Sequence, residues 1–193
     1  MTRERIGRFC IILGGLCILA AAFLLGFNLR EERRAAAATQ RILPAVAHSI
    51  GQSPAPMPTL PAGELTVSLE GEEYLGILSL PTLALELPVG AEREMDFLRQ
   101  APCRYAGTLA GDDIIIAAHN YRQHFALLHT LRAGDAVLFT DAAGLCHRYT
   151  VSLVEILDET AVEEMTAGER DLTLFTCNYD GRARITVRCI REL

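Results

Sequence analysis

Phe9 to Leu29 reads FCIILGGLCILAAAFLLGFNL, 21 residues without one charged side chain. As a helix rising about 1.5 Å per residue it would be roughly 31 Å long, the thickness of a bilayer's hydrocarbon core. Arg3, Arg5 and Arg8 precede the run, and Arg30, Arg33 and Arg34 follow it. The arginine count is therefore tied. Glu31 and Glu32 dilute only the second cluster and tip the balance toward an inside N-terminus, although the orientation rule itself counts only Lys and Arg. A cleaved signal peptide with Ala20–Ala22 as its small-residue site is the competing reading, but its apolar region should be about 7–15 residues. The expected organisation is a cytoplasmic N-terminus over 1–8, an anchor in membrane lipid over 9–29, and an exported remainder.

Residues 30–70 read as a helical extension and stalk. The segment 30–43 is rich in helix formers and should carry the anchor helix into water. Five of the eight prolines lie between Pro44 and Pro61, a composition that favours an extended spacer. A domain of about 123 residues, 71–193, follows. Charge divides the same way. Residues 1–70 carry +2 and residues 71–193 carry −8, for a net −6. An acidic domain of this kind does not bind nucleic-acid phosphates. The chain has no lysine, which excludes P-loop and Schiff-base chemistry.

The domain is mainly strand. Apolar β-type runs cover Tyr74–Leu80, Leu83–Val89 and Asp112–Ala118. Ala136–Thr140 with Cys146–Leu157 forms one expected hairpin, and Leu172–Cys177 with Arg182–Ile190 a second. Short helices are predicted at Met95–Arg99, Phe125–Leu128 and Ala161–Thr166. Many short strands with few helices point to a closed or nearly closed β-barrel.

The second hairpin carries the chemistry. Asp180-Gly181 is a strong two-residue turn signal, and a turn there makes facing residues sum to 361. Cys177 then faces Arg184, with Cβ atoms about 4.5–5.5 Å apart. A fixed cation beside a thiol favours the nucleophilic thiolate. Leu172, Leu174, Thr176, Ile185, Val187 and Cys189 fall on the core face. Thr173, Phe175, Cys177, Tyr179, Arg182, Arg184, Thr186 and Arg188 fall on the other, which is either a reactive face or a solvated one. Among the five histidines, His119 ends the apolar strand IIIAA and could reach a cleft as an acid or base. No C-x-x-C or Cys/His spacing suggests a metal, and no cofactor is expected. Cys103, Cys146 and Cys189 could supply one disulfide or remain buried free thiols.

The segment Thr173-Leu-Phe-Thr-Cys177, with Arg184 in the next strand, resembles the TLxTC…R signature of the sortases. IIIAAHNY around His119 resembles the strand-plus-histidine motif of the same family, and Gly76–Leu80 with Leu87–Val89 its opening strands. The resemblance covers roughly 72–193 and, by the absence of a DPF/DPW lid motif, is to a lid-free, class D-like type. It implies an eight-stranded barrel with Cys177 as nucleophile, His119 as acid/base and Arg184 as stabiliser of the oxyanion or substrate backbone. Thr176 and Arg182 are further candidates for oxyanion or substrate contact. The segment from about Asp158 to Asp171 would bind the substrate. With ordinary thiol and imidazole values of about 8.5 and 6.5, a thiolate–imidazolium pair lies about 2.7 kcal/mol above the neutral pair.

The implied activity is that of a single-pass membrane cysteine transpeptidase with its catalytic domain outside the cell. It would cleave an LPxTG-like C-terminal motif of surface proteins through a thioester. The acyl part would pass to an amine of cell-wall precursor or of a pilin-like protein. A purely hydrolytic cysteine peptidase and a non-catalytic extracellular binding barrel are the alternatives.

Overall fold

The computed structural model describes residues 3–52, 55–56, 65–92, 95–167 and 170–192. The chain forms two compact units, Met1–Arg34 and Ala35–Leu193. Helix α1 runs from Arg3 to Ser49. In the first unit its apolar side chains, among them Ile11, Ile18 and Phe23, are exposed on all sides. This is the one helix among the described residues long and apolar enough to cross a membrane.

The second unit is a barrel. Its strands are β1 (Ala55–Pro56), β2 (Leu65–Leu69), β3 (Glu72–Leu80), β4 (Leu85–Gly90), β5 (Cys103–Ala106), β6 (Ile114–Ala117), β7 (Ala136–Asp141), β8 (Cys146–Asp158), β9 (Leu172–Cys177) and β10 (Ala183–Arg191). The pairing order β3-β4-β5-β6-β9-β10-β8-β7 returns from β7 to β3, which closes a ring of eight strands. Strands β1 and β2 extend from β3 outside that ring. Only β4–β5 and β6–β9 pair in parallel. Closure removes the exposed strand edges that an open sheet would present. Leu78, Leu87, Ile116, Phe139, Leu174 and Val187 fill the interior. They are the inward members of alternating runs, which explains the strand boundaries.

Two short helices flank the ring, α2 (Met95–Leu98) and α3 (Val162–Thr166), close to the expected positions. The third expected helix is instead a set of hydrogen-bonded turns followed by one 3-10 turn at Leu128–Thr130. Phe125 and Leu128 are drawn into the core there, and burial of those two rather than helix propensity sets the path.

The stalk differs from its sequence reading. Helix α1 continues through Pro44 to Ser49, and Ile42 and Val46 are buried against the barrel. Proline costs a helix one hydrogen bond and crowds the preceding turn, about 3 kcal/mol. Burial of the apolar stripe on either side of Pro44 offsets that cost. The sheet also begins earlier than Gly71, because β2 pairs with β3. The prolines at 54, 58 and 61 lie outside the described residues.

The β9–β10 hairpin keeps the expected register, with Arg184 opposite Cys177 and Ile185 opposite Thr176. Its turn is not the two-residue form. Asn178 N–H donates to Ala183 O at 2.9 Å, leaving a four-residue loop, Tyr179–Arg182, and only Gly181 has a positive φ, +76°. Loops of two and four residues about the same centre give the same pairing, so the register survives the change of turn. Within the strands the outward face of this hairpin is not solvated, whereas Tyr179 and Arg182 in its loop are exposed. Thr173, Phe175, Thr186 and Arg188 are all buried beneath α3 and its flanks.

Candidate active site

Strands β6 and β9 run in parallel with Ala117 beside Phe175. Continuing that register by two residues brings His119 level with Cys177 on a neighbouring strand, and adjacent strands lie about 4.8 Å apart. Two contacts fix this end of the pair. Ala118 N–H donates to Phe175 O at 3.2 Å, and the Thr176 hydroxyl donates to Ala118 O at 2.8 Å. The Thr176 side chain, 1% exposed, is thus engaged in holding β6 to β9 and does not line the cavity.

Cys177, His119 and Arg184 line a single cavity of about 320 Å³. Its apolar wall includes Leu98, Ala117, Val162, Met165 and Phe175, with Tyr105 set edge-on against Phe175 at 5.1 Å. Asp158 and Glu159 stand at its polar side. The cavity therefore joins an apolar recess to a thiol, an imidazole and a guanidinium. Part of the segment 158–171 does border it, through Asp158, Glu159, Ala161, Val162 and Met165.

Arg184 is half-buried. Its Nη1 donates to Gly181 O at 2.9 Å and to Ala183 O at 3.3 Å, so the loop it follows also orients it. Arg182 is exposed and is not part of the cavity lining. Its backbone closes the loop instead, through Asp180 Oδ1 and Glu159 N–H. Asp158 is held below the usual carboxylate range, first by hydrogen bonds from Thr160 and in lesser part by the Arg184 charge.

Burial pushes the His119 imidazole below its ordinary value, and the Arg99 cation lowers it further. His119 therefore rests as neutral imidazole at neutral pH. Its ring lies 5.1 Å from Tyr121, and Tyr121 lies 5.6 Å from His124. His124 is fully buried, and its value drops to about 4. Burial is the main cause and the His119 charge adds to it, while the Gln100 backbone opposes them.

Sequence reasoning missed Arg188. It is 6% exposed and clasps α3 onto the barrel, donating to Met165 O at 2.9 Å, Glu164 O at 2.6 Å, Thr173 Oγ1 at 3.1 Å and Glu155 Oε1 at 2.9 Å. Its position on the Cys177 face of β10 was the available signal, since an arginine on a buried face must be fully paired. All six cysteines are free thiols. Cys103 and Cys189 are buried, and Cys146 is exposed at the start of β8. Among the described residues no cluster of three His, Cys, Asp or Glu side chains could hold a metal ion.

The sequence profile of the Sortase domain matches residues 78–192, which is 115 of the 193 residues. The chain belongs to the sortase family. Its fold is similar to that of sortase C1 from Streptococcus agalactiae, at 19% identity and a TM-score of 0.58 over 65% of this chain and 71% of that one. Sortase A from Corynebacterium diphtheriae is similar at 20% identity and a TM-score of 0.57, over 63% of this chain and 62% of that one. Clostridium perfringens sortase C, solved with the C-terminal cell wall sorting motif, is similar at 21% identity and a TM-score of 0.55, over 62% and 71%. No curated protein sequence matches the chain. These matches show a shared fold.

Proposed function

We propose that this sortase is a membrane-anchored cysteine transpeptidase, with Cys177 as nucleophile, His119 as acid/base and Arg184 as oxyanion stabiliser. The observation that carries the reading is that these three side chains border one cavity while standing on three different strand ends. A neutral His119 is the form that can accept the thiol proton. The Cys177 sulfur attacks the scissile carbonyl of the peptide, and the proton passes to His119. The oxyanion that forms is met by the Arg184 guanidinium, which holds the loop carbonyls of Gly181 and Ala183 through Nη1. As the C–N bond breaks, His119 returns the proton to the leaving amine, and a thioester remains on Cys177. An incoming amine attacks that thioester, gives its proton through His119 to the departing sulfur, and leaves as the new amide.

The peptide is an LPxTG-like C-terminal motif cut after its threonine, and the acceptor is an amine on cell-wall precursor or on a pilin-like surface protein. An apolar recess beside the thiol suits the apolar side chain of such a motif, and one similar sortase was solved with a sorting motif. The uncharged run of α1 would hold the enzyme at the membrane with the barrel outside.

A library of LPxTG-like peptides supplied with glycine-type and diamine acceptors tests this. The reading expects new amide products, and none with Cys177→Ala. Full activity of that variant would end the proposal, and cleavage without any amide product would make the enzyme a peptidase. If Cys177 alkylates no faster than the exposed Cys146, the barrel binds without catalysing.

A further inference from the structure

Helix α1 lays one stripe of its second unit on the barrel. Ala35, Ile42 and Val46 are buried, and Ala38 and Ile50 are partly so. The spacing of three, four, four and four residues keeps them on one helix face. Ile42 and Val46 share a cluster with Tyr74, Phe97, Ala101 and Cys103. The Phe97 ring is held tightly there. It lies 5.5 Å from the Tyr74 ring, and it packs so closely over Gly90 that a Cβ on that glycine would fall 2.2 Å from Phe97 Cε1.

The next three residues point toward the candidate active site. Leu98 packs against the Phe97 cluster and also against the cluster of Ile115, Ala117, Met165 and Phe175, and it lines the cavity beside Cys177. Among the described residues it alone packs against both clusters. Arg99 acts on His119 through its charge, and the Gln100 backbone lies by the His124 ring. Gln100 N–H and Ala101 N–H both donate to Phe97 O, at 2.8 and 3.1 Å, so the five residues Phe97–Ala101 form one closed turn. A turn closed on Phe97 moves as a unit with the ring that seats it.

We propose that Phe97 and Leu98 are positioning residues of the catalytic cavity, and that the membrane-proximal part of α1, Ala35–Ser49, sets their position through Ile42 and Val46. The stalk helix is then a wall support of the active site as well as a spacer. This rests on the transpeptidase reading for its kinetic readout, but not for its chemical one.

The test uses the full chain in lipid nanodiscs. Ile42→Ala combined with Val46→Ala should lower kcat/KM on the order of tenfold, carried by kcat, as small misplacements of catalytic groups do. Phe97→Leu should act in the same direction, and Gln40→Ala, on the exposed face of α1, should match the parent enzyme. The chemical readout is the rate of Cys177 alkylation by iodoacetamide across pH, followed by mass spectrometry. Loosening the turn moves Leu98 out of the cavity wall beside Cys177, so alkylation should speed up severalfold at every pH while the core thiol Cys189 stays unreactive. Parent-like kinetics and a parent-like profile with Cys189 protected would overturn the proposal. If the double variant exposes Cys189, Val46→Ala alone is measured, with Val46→Ile expected to restore the parent profile. Absence of any peptide turnover by the parent would defeat the transpeptidase reading, and the alkylation profile would still decide this one.

Discussion

Cys177 and Arg184 stand directly opposite one another across the β9–β10 ladder, and Arg184 is in turn tied to the loop carbonyls of Gly181 and Ala183. The loop thus aims the guanidinium at the strand position of the thiol. Arg184→Ala should reduce kcat/KM by about 10²–10³, the usual loss when an oxyanion donor is removed. Arg182→Ala, outside the cavity, should change it by less than about threefold. Steady-state transpeptidation by both variants checks the pair, and a larger loss in Arg182→Ala would reverse the assignment.

His119 is held below 6.5 by burial and by Arg99. The acid limb of kcat/KM reports this group in the free enzyme. Activity should therefore persist below pH 6.5 and be lost as pH falls through the lowered His119 value. Arg99→Gln removes the cation, raises that value and moves the acid limb upward, with burial still keeping it below the ordinary position. A pH–rate profile of parent and variant measures this directly.

His124 is neutral and buried in the folded chain with a value of about 4, against 6.5 for an ordinary imidazole. The unfolded chain takes up this proton first as pH drops. Stability is then full above pH 6.5 and declines toward pH 4, by roughly 3 kcal/mol in total from this group. His124→Leu should flatten the fall in Tm between those pH values relative to the parent. Thermal melts across the range, compared as parent minus variant, isolate the histidine from the other titrating groups.

Arg188 carries four hydrogen bonds from a buried position. Arg188→Ala leaves the Met165 and Glu164 carbonyls and Glu155 without their donor. A loss of about 3–5 kcal/mol is expected from urea unfolding. Because α3 forms part of the cavity wall through Val162 and Met165, KM for the peptide should rise more than kcat falls. A fall in kcat at constant KM would mean that α3 does not contact substrate.

The strands were legible where alternation is strong. Leu172–Cys177 carries its boundaries in the sequence, and the Cys177–Arg184 pairing followed from the centre of one turn. The type of that turn was not legible, because Asp180-Gly181 fits more than one loop length and only the backbone decides between them. The short strands Leu65–Leu69 and Cys103–Ala106 were missed. Five and four residues carry little periodicity, and each is held by its neighbours in the sheet rather than by its own pattern. The helical course through Pro44 was hidden by composition, since proline signals a spacer until a partner surface for Ile42 and Val46 is in view. His119 was legible as the end of an apolar strand, whereas the seating of Leu98 and Arg99 beside it depends on contacts between distant segments.

The four-residue loop between β9 and β10 has a consequence for how this enzyme can be re-engineered. Strand β10 is paired with β8 from Ala183 to Arg191 as well as with β9, so the ladders rather than the loop keep Cys177 and Arg184 in opposition. Residues can be grafted between Asn178 and Ala183, to add contacts for a chosen acceptor, with that opposition intact.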